Sequence, residues 1–360
     1  MKYNKHIVIL TPGFPTDEQD TTCIPALQDY LVQFVHSYKE IKISIITFEY
    51  PFSNKVYHWH GIEVYPCGGK NSKLKKPGAW RRAFLRIINL NKIEKIDLIH
   101  SLWYGQCAFF GNLISMIYKL PHVCTLMGQD VLKRNSFAKI INPHRLHTVV
   151  LSLNHQEKFE KYFKRKPNII IPWGISEKEF PQNSIERQYD LIGIGSLIAL
   201  KNFNLFIDIV FNLKKQKDTI NCVIVGGGPQ MGELQEKIDS LDLVNNIKLT
   251  GHQPRNIVFE YLENSKVFLH TSHFESFGHV IPEALSRGNY VVSFDVGIAR
   301  EIEKCFVASS QKEAEKRIMQ LLNSTDLDFM PVVPYSSKNT AEKYFILYKK
   351  LMDITSSKKL

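Results

Sequence analysis

The sequence predicts an α/β protein built from two open, mostly parallel sheets, each forming its own domain. Three observations carry that expectation. The chain has 360 residues, enough for two domains of ordinary size with separate cores. Short apolar runs rich in β-branched residues alternate with stretches of helical periodicity, the pattern of βαβ units on a parallel sheet. The alternation breaks in a polar, charged segment from Glu177 to Gln188 and then restarts at Asp190. The expected domains are therefore residues 1–183 and 184–337.

In the first half the expected strands are 7–10, 43–47, 62–65, 96–100, 123–126 and 148–151, with helices over 25–38, 79–91 and 104–118. The run 7–10 is too short for a signal-peptide core and lacks a small-residue cleavage site, so it reads as a first strand. In the second half Val267-Phe268-Leu269 and Tyr290-Val291-Val292 are strands. Between them a polar loop, 271–279, runs into a helix opened by Pro282 and closed near Gly288. A loop leaving a strand and entering a helix presents backbone N–H groups with no intrahelical partner, a natural seat for phosphate. Two carboxylates bracket it, Glu275 in the loop and Glu283 in the helix, placed to reach different parts of one ligand. Over 338–360, Ala341, Tyr344, Leu347, Tyr348 and Leu351 fall at helical spacing.

Composition narrows the class. Apolar residues make up 44% and charged residues 22%, as in a globular protein, and no run approaches the length of a membrane span. Six scattered cysteines without a Cys-x-x-Cys pair indicate neither a disulfide frame nor zinc, and suggest a reducing, cytoplasmic setting. The net charge is +11, and residues 1–170 hold 24 Lys and Arg against 12 Asp and Glu, so the excess lies in the first half. From Lys70 to Arg86 the chain reads KNSKLKKPGAWRRAFLR. Trp80, Phe84, Ile87, Ile88 and Ile93 fall roughly on one helical face flanked by Arg81, Arg82 and Arg86. That face suits either an anionic membrane or the protein's own core with a solvated basic rim. No nucleic-acid-binding motif accompanies the charge, so nucleic acid is not an expected partner.

The stretch Thr271-Ser272, Glu275-Ser276-Phe277-Gly278, Glu283-Ala284, Gly288 resembles the Glu-x7-Glu motif of the retaining GT-B glycosyltransferases, glycosyltransferase family 4. The likeness extends along the chain. Ile169-Ile-Ile-Pro-Trp-Gly-Ile with Phe180 is similar to the family segment that closes the first domain. Gly195-Ser196-Leu197 with Lys201 resembles its donor loop, Val225-Gly-Gly-Gly-Pro229 its glycine turn, and Ile247-Lys-Leu-Thr-Gly251 the segment near the base. The resemblance implies two Rossmann-like domains facing each other across a cleft, acceptor-binding then donor-binding, with the last helix crossing back to the first. It implies transfer of a sugar, with retention, from a UDP- or GDP-linked donor to a glycan or lipid-linked acceptor. Cell-envelope polysaccharide or lipopolysaccharide assembly at the inner face of the cytoplasmic membrane is the setting it suggests. No separate cofactor is expected.

Carried over residue by residue, Glu275 faces the donor sugar, Glu283 the ribose hydroxyls, and Lys201 the diphosphate, together with the amides around Gly278, His279 and Val280 after Phe277. Gly195, Ser196 and Gly251 are further expected donor contacts, and Gly13, in the loop after the first strand, reads equally as a donor contact or a plain βα turn. The family commonly has a His where this chain has Met127, which neither transfers a proton nor donates a strong hydrogen bond. Next to it Gly128 permits close backbone approach and Asp130 is expected to orient a hydroxyl. Many members carry Arg at the position of Ser196. His100, in a segment resembling the family's Asp-x-Ile-His strand, reads equally as a site residue or a satisfied core histidine. Asp326-Leu327-Asp328 is the only Asp-x-Asp and lies in a weakly patterned region, so no metal site is expected. A GT-B protein that has lost catalysis and binds nucleotide sugar or glycolipid as a scaffold is the alternative reading.

Overall fold

The computed structural model describes residues 4–72, 74–132, 135–176 and 186–357. It divides into two compact units, Met1–Gly174 with Ser337–Leu360, and Ile175–Ser336. Most of the expected linker, the matched Phe180 and the expected boundary at 183 lie outside the described residues, as does Lys73 of the basic segment.

The first unit contains β1 (Lys5–Gly13), α1 (Pro25–Ser37), β2 (Ile41–Tyr50), β3 (Tyr57–Trp59), β4 (Ile62–Pro66), α2 (Lys76–Ile93), β5 (Leu98–Leu102), α3 (Gln106–Tyr118), β6 (His122–Thr125), β7 (His147–Val150), α4 (Leu153–Phe163) and β8 (Ile169–Ile170). Among the described residues its sheet runs β3-β4-β2-β1-β5-β6-β7-β8. Only β3 is antiparallel, joined to β4 by His60-Gly61, both at positive φ as a tight hairpin requires. Ile7 to Leu10 of β1 are fully buried because helices cover both faces of a parallel sheet. Strand β5 starts two residues later than expected: Asp97 exchanges backbone and carboxylate hydrogen bonds with His6, outside the ladder. Helix α4 has no counterpart in the expected elements; Ser152 opens it, accepting from the His155 N–H.

Helix α2 decides between the two readings of its apolar face. Ala79, Ala83, Ile87 and Leu90 are buried, and Trp80 and Phe84 pack against that same core. The Trp80 ring lies 5.2 Å from Phe110, and its Nε1–H donates to Gln106 Oε1. Arg82 donates to the Cys67 carbonyl at 2.9 and 2.7 Å, and Arg86 to the carbonyls of Pro66 and Asn54. The apolar face read as a candidate membrane surface therefore covers the sheet, while Ile93 falls off it and is exposed.

Helix α10 (Ser337–Ser357) belongs to the first unit and packs on α1. Tyr344 and Tyr348 are fully buried, and five side chains form one hydrogen-bonded chain. Tyr30 and Tyr348 hydroxyls are 2.9 Å apart, and Tyr348 is 2.6 Å from His100 Nδ1. His100 Nε2 is 2.8 Å from Thr125 Oγ1, which is 2.8 Å from the Tyr344 hydroxyl. His100 is thus a satisfied core histidine, and burial pushes its pKa down to about 3.

The second unit is fully parallel among its described strands. It contains β9 (Tyr189–Ile194), α5 (Phe203–Lys214), β10 (Cys222–Val225), α6 (Met231–Ser240), β11 (Ile247–Leu249), α7 (Arg255–Glu263), β12 (Ser265–His270), α8 (Val280–Ser286), β13 (Tyr290–Ser293), β14 (Cys305–Val307) and α9 (Gln311–Leu322). The order β11-β10-β9-β12-β13-β14 reverses between β9 and β12. Ligands of open α/β sheets bind beyond the carboxyl ends of the strands at such a reversal. Helix α8 begins at Val280, two residues before the expected start, because Pro282 is tolerated anywhere in a first turn that lacks intrahelical N–H partners.

The ends of β9 and β10 touch backbone to backbone. Gly226 has φ 151°, its N–H donates to the Gly251 carbonyl at 3.0 Å, and a Cβ there would overlap the Gly195 carbonyl oxygen. Gly226→Ala should therefore cost about 2–4 kcal/mol in urea unfolding, since backbone, unlike a side chain, cannot step aside. A variant as stable as the wild type would show that the strand ends have slack.

Candidate active site

Two loops meet at the reversal point of the second sheet. The first follows β9: Gly195 donates its N–H to Val225, the chain makes a short turn over Ala199–Lys201, and Asn202 enters α5 in the left-handed conformation. The second is 271–279, after β12. They are stitched together by Thr271 Oγ1 donating to the Lys201 carbonyl and the His273 N–H donating to the Leu200 carbonyl, both at 2.9 Å. Gly278 takes φ +80°, which lets the loop turn into α8, and the Phe277 carbonyl accepts from Ile298 at 3.0 Å. Both loops are thereby held on rigid strands.

Lys201 Nζ lies 2.5 Å from Glu275 Oε1, with side chains 21% and 14% exposed. His270 Nε2 is 3.3 Å from the same oxygen. Burial alone would push the Glu275 pKa up; the His270 hydrogen bond and the Lys201 charge outweigh it and hold the pKa at about 2. Eight residues on, Glu283 is buried on α8, with Arg255 Nη2 3.2 Å and His279 Nε2 3.7 Å from its Oε1. The Arg255 guanidinium also stands 5.0 Å from the Phe259 ring, which fixes its plane. Each carboxylate at the site thus has its own cation.

Gly195, Ser196, Lys201, Glu275, Phe277, Gly278, His279, Val280 and Glu283 all lie in these two loops and α8. Ser196 is exposed, Phe277 is buried with its ring 5.8 Å from Tyr335, and Gly251 bridges to Gly226 at the end of β11. Gly13 and Asp130 lie in the first unit. Gly13 ends β1, beside the reversal between β1 and β5, and accepts from Thr11 Oγ1. Asp130 has a structural task as well. Its carboxylate accepts backbone N–H bonds from Tyr104 at 2.7 Å, Gly128 at 2.7 Å and Met127 at 3.2 Å, and so shapes the 127–130 turn.

Sequence reasoning missed His270 and Arg255. His270 ends an apolar run just before Thr-Ser, where a polar residue is a visible anomaly. Arg255 gave no signal, because its carboxylate partner is 28 residues away. Among the described residues no cluster of three or more His, Cys, Asp or Glu is arranged to hold a metal ion.

Residues 175–330 match the family model of the glycosyl transferases group 1. Over 230 residues the chain is 24% identical to the GtfA subunit of the UDP-N-acetylglucosamine–peptide N-acetylglucosaminyltransferase of Streptococcus pneumoniae, covering 61% of this chain and 45% of that protein. Over 307 residues it is 27% identical to the GPI3 subunit of the phosphatidylinositol N-acetylglucosaminyltransferase of Saccharomyces cerevisiae, covering 82% and 62%. The chain thus spans about half to three fifths of the length of these relatives. Its backbone is similar to that of Anabaena Alr3699/HepE, solved with UDP and glucose, with a TM-score of 0.67 at 18% identity over 99% of this chain and 100% of that one. The chain has the GT-B fold, and over residues 175–330 it carries the sequence pattern of the glycosyl transferases group 1.

Proposed function

We propose that the protein transfers a sugar from a nucleotide-sugar donor, UDP-linked before GDP-linked, to a glycan or lipid-linked acceptor, with retention of configuration, as a member of glycosyltransferase family 4. The observation that carries this is the Lys201–Glu275 pair held between two stitched loops at the reversal point of the second sheet. Lys201 is the cation for the donor diphosphate, with the amides around Gly278 to Val280 as preorganised donors to the leaving oxygen. Glu275 faces the sugar, and Glu283, oriented by Arg255, takes the ribose hydroxyls. Retention with a donor phosphate oxygen helping to deprotonate the acceptor accommodates Met127. The name of the pneumococcal relative and the UDP in the Anabaena structure favour a UDP donor.

Cell-envelope polysaccharide or lipopolysaccharide assembly at the inner face of the cytoplasmic membrane fits the basic first half. No described helix is long and apolar enough to cross a membrane. Peripheral contact, with Trp80 and Phe84 committed to the core, rests on the exposed cations Lys70, Lys75 and Arg81. Met127 and the exposed Ser196 favour one second reading, a scaffold that binds donor without turnover.

A thermal-shift panel of nucleotide sugars tests the proposal. At a hundredfold excess over Kd a donor stabilises by about 2.7 kcal/mol, a rise of several degrees in Tm. Because Lys201 and backbone amides supply the positive charge, turnover should survive EDTA. A panel in which no nucleotide sugar moves Tm would sink the donor site, and magnesium-reversible loss of turnover would show that a metal supplies the charge.

A further inference from the structure

The Lys201–Glu275 pair rests on a third residue that neither donor nor acceptor chemistry requires. His270 is 3% exposed, at the carboxyl end of β12, paired in register with Ser293 of β13. Its Nδ1 is 3.2 Å from Ser293 Oγ, and its Nε2 faces Ser272 Oγ at 3.1 Å and Glu275 Oε1 at 3.3 Å. The ring is thus pinned by neighbours on two strands and turned at the loop carboxylate. Phe268, one side-chain repeat back on β12, lies against it with ring centres 5.7 Å apart.

We propose that His270 is a positioning residue for sugar transfer: braced on the sheet, its imidazole sets the rotamer of Glu275 and, through Glu275, the place of Lys201. This rests on the glycosyltransferase reading above. Lysine has four rotatable side-chain bonds and glutamate three, so their mutual attraction fixes a separation but not an orientation. A third contact from a rigid, buried ring removes that freedom. Placement of reacting groups to within an ångström is worth up to 10²-fold in rate. The charged and titratable groups facing the Glu275 carboxylate are Lys201 from the β9 loop and His270 from β12.

The experiment compares wild type, His270→Leu, His270→Gln, Glu275→Ala and the double variant His270→Leu/Glu275→Ala, in Tm and in transfer kinetics with a UDP-sugar. His270→Leu should lower kcat on the order of 10- to 100-fold with KM for donor nearly unchanged. His270→Gln, whose amide N–H replaces that of Nε2, should recover most of the loss, which a purely structural role would not predict. The Tm losses of His270→Leu and Glu275→Ala should be non-additive, the double variant melting near the worse single one. Additive Tm losses overturn the positioning whatever the activity, and so does a His270→Gln variant as slow as His270→Leu. A wild type that transfers sugar from no donor while the Tm coupling holds refutes the glycosyltransferase reading and leaves the Glu275 contact standing.

Discussion

Lys201→Ala and Glu275→Ala should each lower kcat/KM for sugar transfer by about 10²–10³-fold, the loss typical of removing one preorganised electrostatic group. The two substitutions fail for different reasons. Without Lys201 the donor diphosphate meets Glu275 with no cation between them, so nucleotide affinity falls as well as rate. Without Glu275 the lysine keeps its charge and nucleotide binding persists, while the proposed contact to the sugar is gone. Calorimetry with UDP therefore separates the variants: weak binding for Lys201→Ala, near-normal binding for Glu275→Ala. The double variant should be little slower than the worse single one, since the pair acts as a unit. Wild-type rates in both single variants would remove the pair from the mechanism.

Acidification should unfold the first unit at about pH 5, before the second. His100, His122 and His155 are buried and held neutral, each with its pKa pushed down to about 3 by desolvation, and burial lowers those of His6 and His147 as well. All five belong to the first unit. As pH falls through the ordinary value of 6.5 the unfolded chain takes up protons and the folded one does not. The stabilisation is therefore complete above 6.5 and lost progressively toward 3. Each of the three most shifted histidines costs about 1.4 kcal/mol per pH unit in that window, roughly 4 kcal/mol per unit together, against a total stability of about 5–15 kcal/mol. In the second unit the depressed pKa of Glu275 acts lower: its contribution is full above the ordinary 4.5 and lost as pH falls toward about 2. The four tryptophans, 59, 80, 103 and 173, all report on the first unit. An emission maximum that stays put from pH 7 to pH 4 would contradict the prediction.

Local signals in the chain were legible wherever one element determines its own surroundings. The runs at 7–10, 267–269 and 290–292 are strands, short apolar stretches that a sheet covered on both faces accommodates. Lys201 and Glu275 could be placed at one site in advance only through resemblance, since no rule of spacing joins residues on different βα turns, and their direct contact was not foreseen. The Arg255–Glu283 contact was invisible for the same reason. Helix α2 shows a different limit: periodicity reports that one face is apolar and leaves open what covers it, so Trp80 and Phe84 read alike for core and for membrane. Asp130 shows a third, because a carboxylate beside a glycine turn is as useful to backbone amides as to a ligand, and here the amides hold it.

The hydrogen-bonded chain through Tyr30, Tyr348, His100, Thr125 and Tyr344 bears on the order in which the polypeptide matures on the ribosome. Helix α10 is translated only after every residue of the second unit. At roughly 5–20 residues per second the first unit waits about 10–30 s for the phenols that close over β5, β6 and α1. The second unit is one continuous stretch and waits for nothing. The usual progression, in which the earlier-made domain is finished first, is reversed in this chain. During that interval Tyr30 and Phe34 of α1 lack their cover, so the nascent first half offers an apolar surface that the mature protein hides.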